Sequence, residues 1–267
     1  MTGNAVSPAS PNIHPSALIS PDADLADGVH VGPFCRIGRG VRIDTGCHFD
    51  SHVVVEGPTE IGARNRFYPF STIGLEPQDL KFEGEDTFLT IGSDNIFREY
   101  VNIHRGTAGG GGETRIGNRN FLMVYAHIAH DCVVGNDIIM ANAATLAGHV
   151  TIEDHATIGA FSGVHQFCRV GFHGYVGGYS VVTKDVLPFS KTVSARDTRA
   201  FGVNTIGLER KGFSSDQIAA IKKTFRLLLQ SKLNTSQALD AIRREVDAPE
   251  AQIVVDFIEK SDRGIYK

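Results

Sequence analysis

From Ile116 onward an apolar residue returns at every sixth position: Ile116, Leu122, Ile128, Val134, Met140, Leu146, Ile152, Ile158, Val164, Val170, Val176 and Val182. This period does not fit a helix face, which repeats about every 3.6 residues. Six residues suffice for one short strand and one corner, and a short fixed period of this kind is the signature of a parallel β-helix. The apolar head of each hexad points inward. The fifth position also points inward and stays small or modest, as at Ala126, Cys132, Ala144, Val150, Ala156, Ser162, Cys168 and Ser180. Gly often follows the head, as at Gly117, Gly135, Gly159, Gly171 and Gly177. There it is expected to relax the corner backbone, since it has no Cβ. Each coil would pair its backbone with the next.

The same phase runs upstream through Ile13, Ile19, Leu25, Val31, Ile37, Ile43, Phe49, Val55, Ile61, Phe67 and Ile73, then resumes at Ile91, Phe97 and Ile103. The pattern predicts a loose tail over residues 1–12 and a β-helix over 13–187, with loop excursions near 76–90 and 108–115. Residues 188–267 are expected to form an irregular link and a helical domain. Ser214 and Gln217 read as a capping box before a helix reaching about Ser231. A second helix is expected over about 235–246, and a third from Pro249, a favourable first-turn residue.

Composition narrows the class. The chain has 42% apolar and 21% charged residues and a net charge of -4, so there is no overall basic field for nucleic acid. No run approaches the roughly 20 apolar residues of a membrane helix, and no secretory signal is visible. Cys35, Cys47, Cys132 and Cys168 all occupy the fifth position, which makes them small core residues. Reduced thiols fit a cytoplasmic protein.

With hexads laid three to a coil, those headed by Ile73, Ile103, Ile128, Leu146 and Val164 form one column. It carries His104, His130, His149, His165 and Gln166, and the loop with Asp79 and Lys81 leaves from its first member. His130–Asp131 is the expected catalytic pair, because a neutral imidazole takes a proton near pH 7 and a carboxylate stabilises the imidazolium. No Ser or Cys nucleophile stands in the column, which favours direct attack by a substrate group with His130 as general base. The backbone N–H of Gly148 is a candidate oxyanion donor. A zinc-dependent hydrating enzyme using His104, His127 and His130 is the rival chemistry. Gly109 to Gly112 lack the following helix and Lys of a phosphate loop and read as a flexible excursion. Arg210, Lys211, Lys222, Lys223 and Arg226 lie close together and suit an acidic partner.

These residues carry a resemblance. The runs NIHRGT (from Asn102), AHIAHDC (from Ala126), AGH (to His149), VHQFC (from Val164), QDLK (from Gln78) and FGVN (to Asn204) resemble the acyl-carrier-protein–UDP-N-acetylglucosamine O-acyltransferases of lipid A synthesis. The similarity extends from Ile13 through the final helices. It implies a mainly β fold, a left-handed parallel β-helix with a C-terminal helical domain, and a homotrimer with sites between subunits. The implied reaction moves a 3-hydroxyacyl chain from acyl carrier protein to the 3-hydroxyl of UDP-N-acetylglucosamine. No cofactor is implied beyond the 4'-phosphopantetheine that the carrier protein brings, and no metal. His130 matches the general base, Asp131 its partner and Gly148 the oxyanion donor. Asp79, Lys81, His104, His149 and Gln166 match substrate contacts, with His165 beside them. Asn204 and Arg210 match contacts to the nucleotide or pantetheine ends. Gly178 falls at the acyl-chain ruler, where a Gly implies a long chain. Ile206 and Glu209 depart from the acidic and basic residues of the best-known members. Two N-acylating readings are the alternatives: a 3-amino acceptor, or the later lipid A step, whose enzymes carry an extra domain before the hexads.

Overall fold

The computed structural model describes residues 10–193 and 199–266, so residues 1–9 of the expected tail lie outside it. The chain divides into two compact units, Met1–Asp137 and Ile138–Lys267.

In the first unit each hexad head lies in a very short strand that pairs in parallel with the strand one coil on. Order begins at least at Asn12, which pairs with His30. Val31, Phe49, Phe67 and Phe97 stack on one side. Ile37, Val55, Ile73, Ile103 and Ile128 stack on a second, and Ile43, Ile61, Ile91, Ile116 and Val134 on a third. Three hexads therefore make one coil, and every one of these heads is buried. Phe49, Phe67 and Phe97 stack with ring centroids 4.6 and 4.7 Å apart. The buried fifth positions include a polar ladder. Asn65 Oδ1 accepts from the backbone N and Nδ2 of Asn95, and Asn95 Oδ1 accepts from Asn120 N. Asn120 Nδ2 then donates to Gly135 O. Each amide satisfies turn groups that burial would otherwise strand.

The glycine after the head serves close approach rather than turn geometry. A Cβ on Gly117 would lie 2.5 Å from Gly135 O, and one on Gly32 would lie 2.8 Å from Asp50 O. The left-handed backbone falls two residues later and on residues with side chains, such as Phe34 (φ 58°), Tyr100 (φ 61°) and Asp131 (φ 60°). That conformation costs about 1–2 kcal/mol for an L-residue. Stacking from coil to coil offsets it: Phe34, His52, Phe70, Tyr100 and Tyr125 form one continuous file with centroids 4.8–5.2 Å apart. At another corner Arg64 pairs with Asp94 and Arg119 with Asp137.

In the second unit the same pairing continues through Met140, Ile158 and Val176, through Leu146, Val164 and Val182, and through Ile152 and Val170. The stretch expected to be an irregular link holds two strands instead. Ser190–Val193 runs parallel to the strand at Tyr175 and antiparallel to Arg199–Val203. Helix α1 (Thr205–Arg210), too short to leave a periodic signal, follows with Asn204 as its N-cap. The capping box at Ser214 starts α2 (Ser215–Phe225), which widens into a π-helical segment at Arg226–Gln230. Helices α3 (Thr235–Glu245) and α4 (Pro249–Glu259) complete the unit.

The helices bury Ile221, Phe225, Ile242, Val254 and Phe257 against Leu187 and Phe189 of the last coil. Polar ties hold the junction. The buried Asp185 accepts from Arg169 N and Ser261 Oγ, and the Arg169 guanidinium stacks on Phe257 at 4.1 Å. The open end of this solenoid is thus covered.

Truncating Phe67→Ala removes the middle ring of the core stack and should cost about 3–5 kcal/mol of stability, read as a lowered urea midpoint at unchanged m-value.

Candidate active site

The first unit contains Asp79, Lys81, His104, His130 and Asp131 of the expected site residues. The second contains Gly148, His149, His165, Gln166, Gly178, Asn204 and Arg210.

His130 and Asp131 follow the strand His127–Ile128. The left-handed φ of Asp131, which Asp tolerates better than most residues, turns its carboxylate inward. Its side chain is fully buried while that of His130 is 15% exposed. His130 Nδ1 donates to Asp131 Oδ2 at 2.7 Å. That bond fixes the tautomer and leaves the basic lone pair on Nε2. Thr107 holds the carboxylate from the other side. Its backbone N donates to Oδ1 at 2.8 Å and its hydroxyl to Oδ2 at 2.6 Å. Gly110 packs so closely over this carboxylate that a Cβ there would overlap it. The glycine run read as a flexible excursion is therefore a 3₁₀ turn, Ala108–Gly110, that covers Asp131. Gly111 (φ 98°) and Gly112 (φ 81°) then supply left-handed backbone for the return.

A second cluster adjoins it. Asn102, His104 and His127 meet around one amide. One terminal atom of the Asn102 amide lies 2.7 Å from His104 Nε2 and 2.8 Å from His127 Nδ1, and the other lies 2.5 Å from Thr72 Oγ1. His104 Nδ1 donates to Glu76 O at 2.6 Å. Burial lowers the pKa of both rings, with the charge of His130 adding to the effect on each; His127 falls to about 4. Both rings are thus neutral near pH 7. A neutral His104 that donates from Nδ1 must accept at Nε2, so the Asn102 amide is turned with its NH₂ toward the two rings and its oxygen toward Thr72. His104 then has no ring nitrogen left for a metal, which removes it from the zinc triad of the rival chemistry.

The loop carrying Asp79 and Lys81 leaves its strand at Leu75, one residue before the carbonyl that His104 holds. Asp79 Oδ1 accepts from Lys81 N at 3.0 Å, and Leu80 is fully exposed at the tip.

In the second unit His149 (φ 62°) stacks on Phe167 at 4.4 Å. Phe167 N donates to the carbonyl of the buried Gly148. His165 and Gln166 are exposed, and His165 Nδ1 donates to Gln166 O. Gly178 is exposed, and a Cβ there would meet only Ala160 O at 3.2 Å and Ala160 N at 3.7 Å. Asn204 and Arg210 line a cavity of about 630 Å³ together with Tyr175, Lys191, Ile206 and Lys211.

Sequence reasoning missed Thr107, Asn102 and the ordering role of His127. Thr107 closes a quoted run just ahead of the glycines. Nothing in its spacing marks it as a partner of Asp131.

Residues 185–266 match the family model described as UDP-N-acetylglucosamine O-acyltransferase, domain 2. A protein of Syntrophobacter fumaroxidans named acyl-[acyl-carrier-protein]–UDP-N-acetylglucosamine O-acyltransferase is 44% identical over 96% of this chain and 99% of its own. One of the same name from Thermodesulfovibrio yellowstonii is 46% identical over 95% and 98%. The solved structure of LpxA from Acinetobacter baumannii superposes with a TM-score of 0.93 at 43% identity, covering 96% of this chain and 99% of the other.

Protonation of His127 should appear in the stability curve. Unfolded, the ring takes its proton near 6.5; folded, it does so near 4. Between these values the unfolded state binds the extra proton. Stability present above pH 6.5 should therefore fall by roughly 3 kcal/mol as the pH drops toward 4. Urea titrations across this range should show a shallower slope for His127→Gln.

Proposed function

We propose a mechanism on the premise that this chain belongs to the acyl-[acyl-carrier-protein]–UDP-N-acetylglucosamine O-acyltransferase family and folds as its left-handed parallel β-helix. It is an enzyme that transfers an acyl group from acyl carrier protein to UDP-N-acetylglucosamine. In our reading the acyl group is a 3-hydroxyacyl chain, the acceptor is the sugar 3-hydroxyl and the product enters lipid A synthesis.

His130 acts as general base. Its Nε2 takes the proton of the sugar hydroxyl as that oxygen attacks the thioester carbonyl carbon. The tetrahedral oxyanion is met by the Gly148 N–H. When the intermediate collapses, the C–S bond breaks and the imidazolium returns its proton to the departing phosphopantetheine sulfur. One ester forms, one thioester is lost, and no covalent enzyme intermediate is needed.

The observation that carries this reading is the His130–Asp131 bond of 2.7 Å, with the carboxylate closed off by Thr107. A buried carboxylate of this kind stabilises the imidazolium without competing for substrate. His104, neutral and tied at both ring nitrogens, offers the substrate an uncharged ring face. Asp79, Lys81, His149, His165 and Gln166 contact substrate. Asn204 and Arg210 hold the nucleotide or pantetheine end in the cavity, where Ile206 offers an apolar wall. Gly178 leaves the ruler open for a long chain. The exposed cations Arg210, Lys211, Lys222, Lys223 and Arg226 receive the acidic carrier protein. The working form is a cytoplasmic homotrimer.

The test is a purified-protein assay with a panel of hydroxyacyl carrier proteins and UDP-N-acetylglucosamine, alongside its 3-amino analogue. His130→Ala should lower turnover by at least about 10²–10⁴-fold, with light scattering showing an unchanged oligomer. Near-normal turnover in that variant would remove His130 from the mechanism. Gly178→Met should move the preferred donor to a shorter chain, and an unchanged preference would remove Gly178 as the ruler.

A further inference from the structure

Arg105 is buried, 8% exposed, and among the described residues it makes no ion pair with a carboxylate. One terminal nitrogen donates to two backbone carbonyls, Gly74 O at 2.7 Å and Gly57 O at 3.0 Å. Its Nε has no hydrogen-bond partner. Burying a guanidinium with only carbonyl partners is costly. Here burial does push its pKa downward, against the partial support of Glu76 and Glu56. A Met would fill the same space without that cost.

The carbonyls it holds belong to one locality. The strand Thr72–Leu75 shifts register between Ile73 and Leu75. Gly74 has a left-handed φ of 73° there, and the chain then departs into the loop of Asp79 and Lys81. Neighbouring donors hold the rest of the loop base. Arg105 N donates to Leu75 O at 3.1 Å, Gly106 N to Phe88 O at 3.1 Å and His104 Nδ1 to Glu76 O at 2.6 Å. Residues 104–106 therefore grip both ends of an excursion whose tip is exposed. The Arg105 side chain supplies the grip at the bend itself.

We propose that Arg105 is a positioning residue that sets the exit angle of the 76–87 loop, and thereby the placement of Asp79 and Lys81 on the sugar-nucleotide substrate. The proposal rests on the substrate role given to that loop above.

Steady-state kinetics on the full-length protein test it with Arg105→Met, Arg105→Lys, Asp79→Ala and the double variant Arg105→Met/Asp79→Ala. Arg105→Met should raise KM for UDP-N-acetylglucosamine about tenfold with kcat within about threefold. It should also speed backbone hydrogen exchange across residues 76–87. Arg105→Lys keeps the charge but is about one bond too short to reach both carbonyls, so it should give an intermediate KM. In the Asp79→Ala background the Arg105→Met effect should shrink to the part carried through Lys81, because both substitutions act through one loop.

A folded Met or Lys variant with wild-type KM overturns the proposal, as does full additivity with Asp79→Ala. Failure of both Arg105 variants to fold, judged by circular dichroism, overturns it in favour of a purely structural arginine. Wild-type kinetics for Asp79→Ala would instead remove the substrate role of the loop, the reading on which the proposal rests.

Discussion

The structure depends on backbone hydrogen bonds that run from each coil to the next, as from His48 N to Asn65 O and from Asp50 N to Phe67 O. Adjacent strands in such a ladder lie about 4.8 Å apart. That spacing is too small for arbitrary side chains at the turns. It explains the glycine after so many hexad heads, where a Cβ would strike the next coil's carbonyl. It also explains the small or amide-bearing fifth positions. The same spacing brings identical corner positions to stacking distance, so the aromatic file from Phe34 to Tyr125 is a consequence of the ladder.

This repetition makes a rigid base for chemistry. Asp131 occupies a corner like any other, yet the excursion just before its coil brings Thr107 and Gly110 down over it. A corner position that elsewhere presents a ring to solvent here presents a buried, doubly supported carboxylate to an imidazole. Asn102 and His127, aligned by the strand register, hold the His104 ring in place, and burial keeps it neutral. Phase breaks in the repeat thus do the functional work, and the unbroken hexads hold them in place.

The family resemblance and the hexads agreed on the fold because both read the same inward-facing positions. The residues that escaped notice share a different property. Thr107 and Arg105 act through backbone groups or across an excursion, and such contacts have no periodicity. The link after Leu187 looked irregular because its strands leave the six-residue phase. The register that pairs Lys191 with Tyr175 is a tertiary choice. Helix α1 occupies too few residues for an amphipathic signal.

Period, head and fifth position are local properties of the chain, so the sequence alone determined the six-residue phase and which residues face inward. Three hexads to a coil was a premise there, and the strand pairing made it fact and put His104 and His130 on one side. Which glycine met a neighbouring carbonyl, which corner turned left-handed, how the Asn102 amide faced its two rings and what closed over Asp131 were decided only in three dimensions. Those outcomes depend on the atoms that one coil places against another, and no stretch of a single coil contains them.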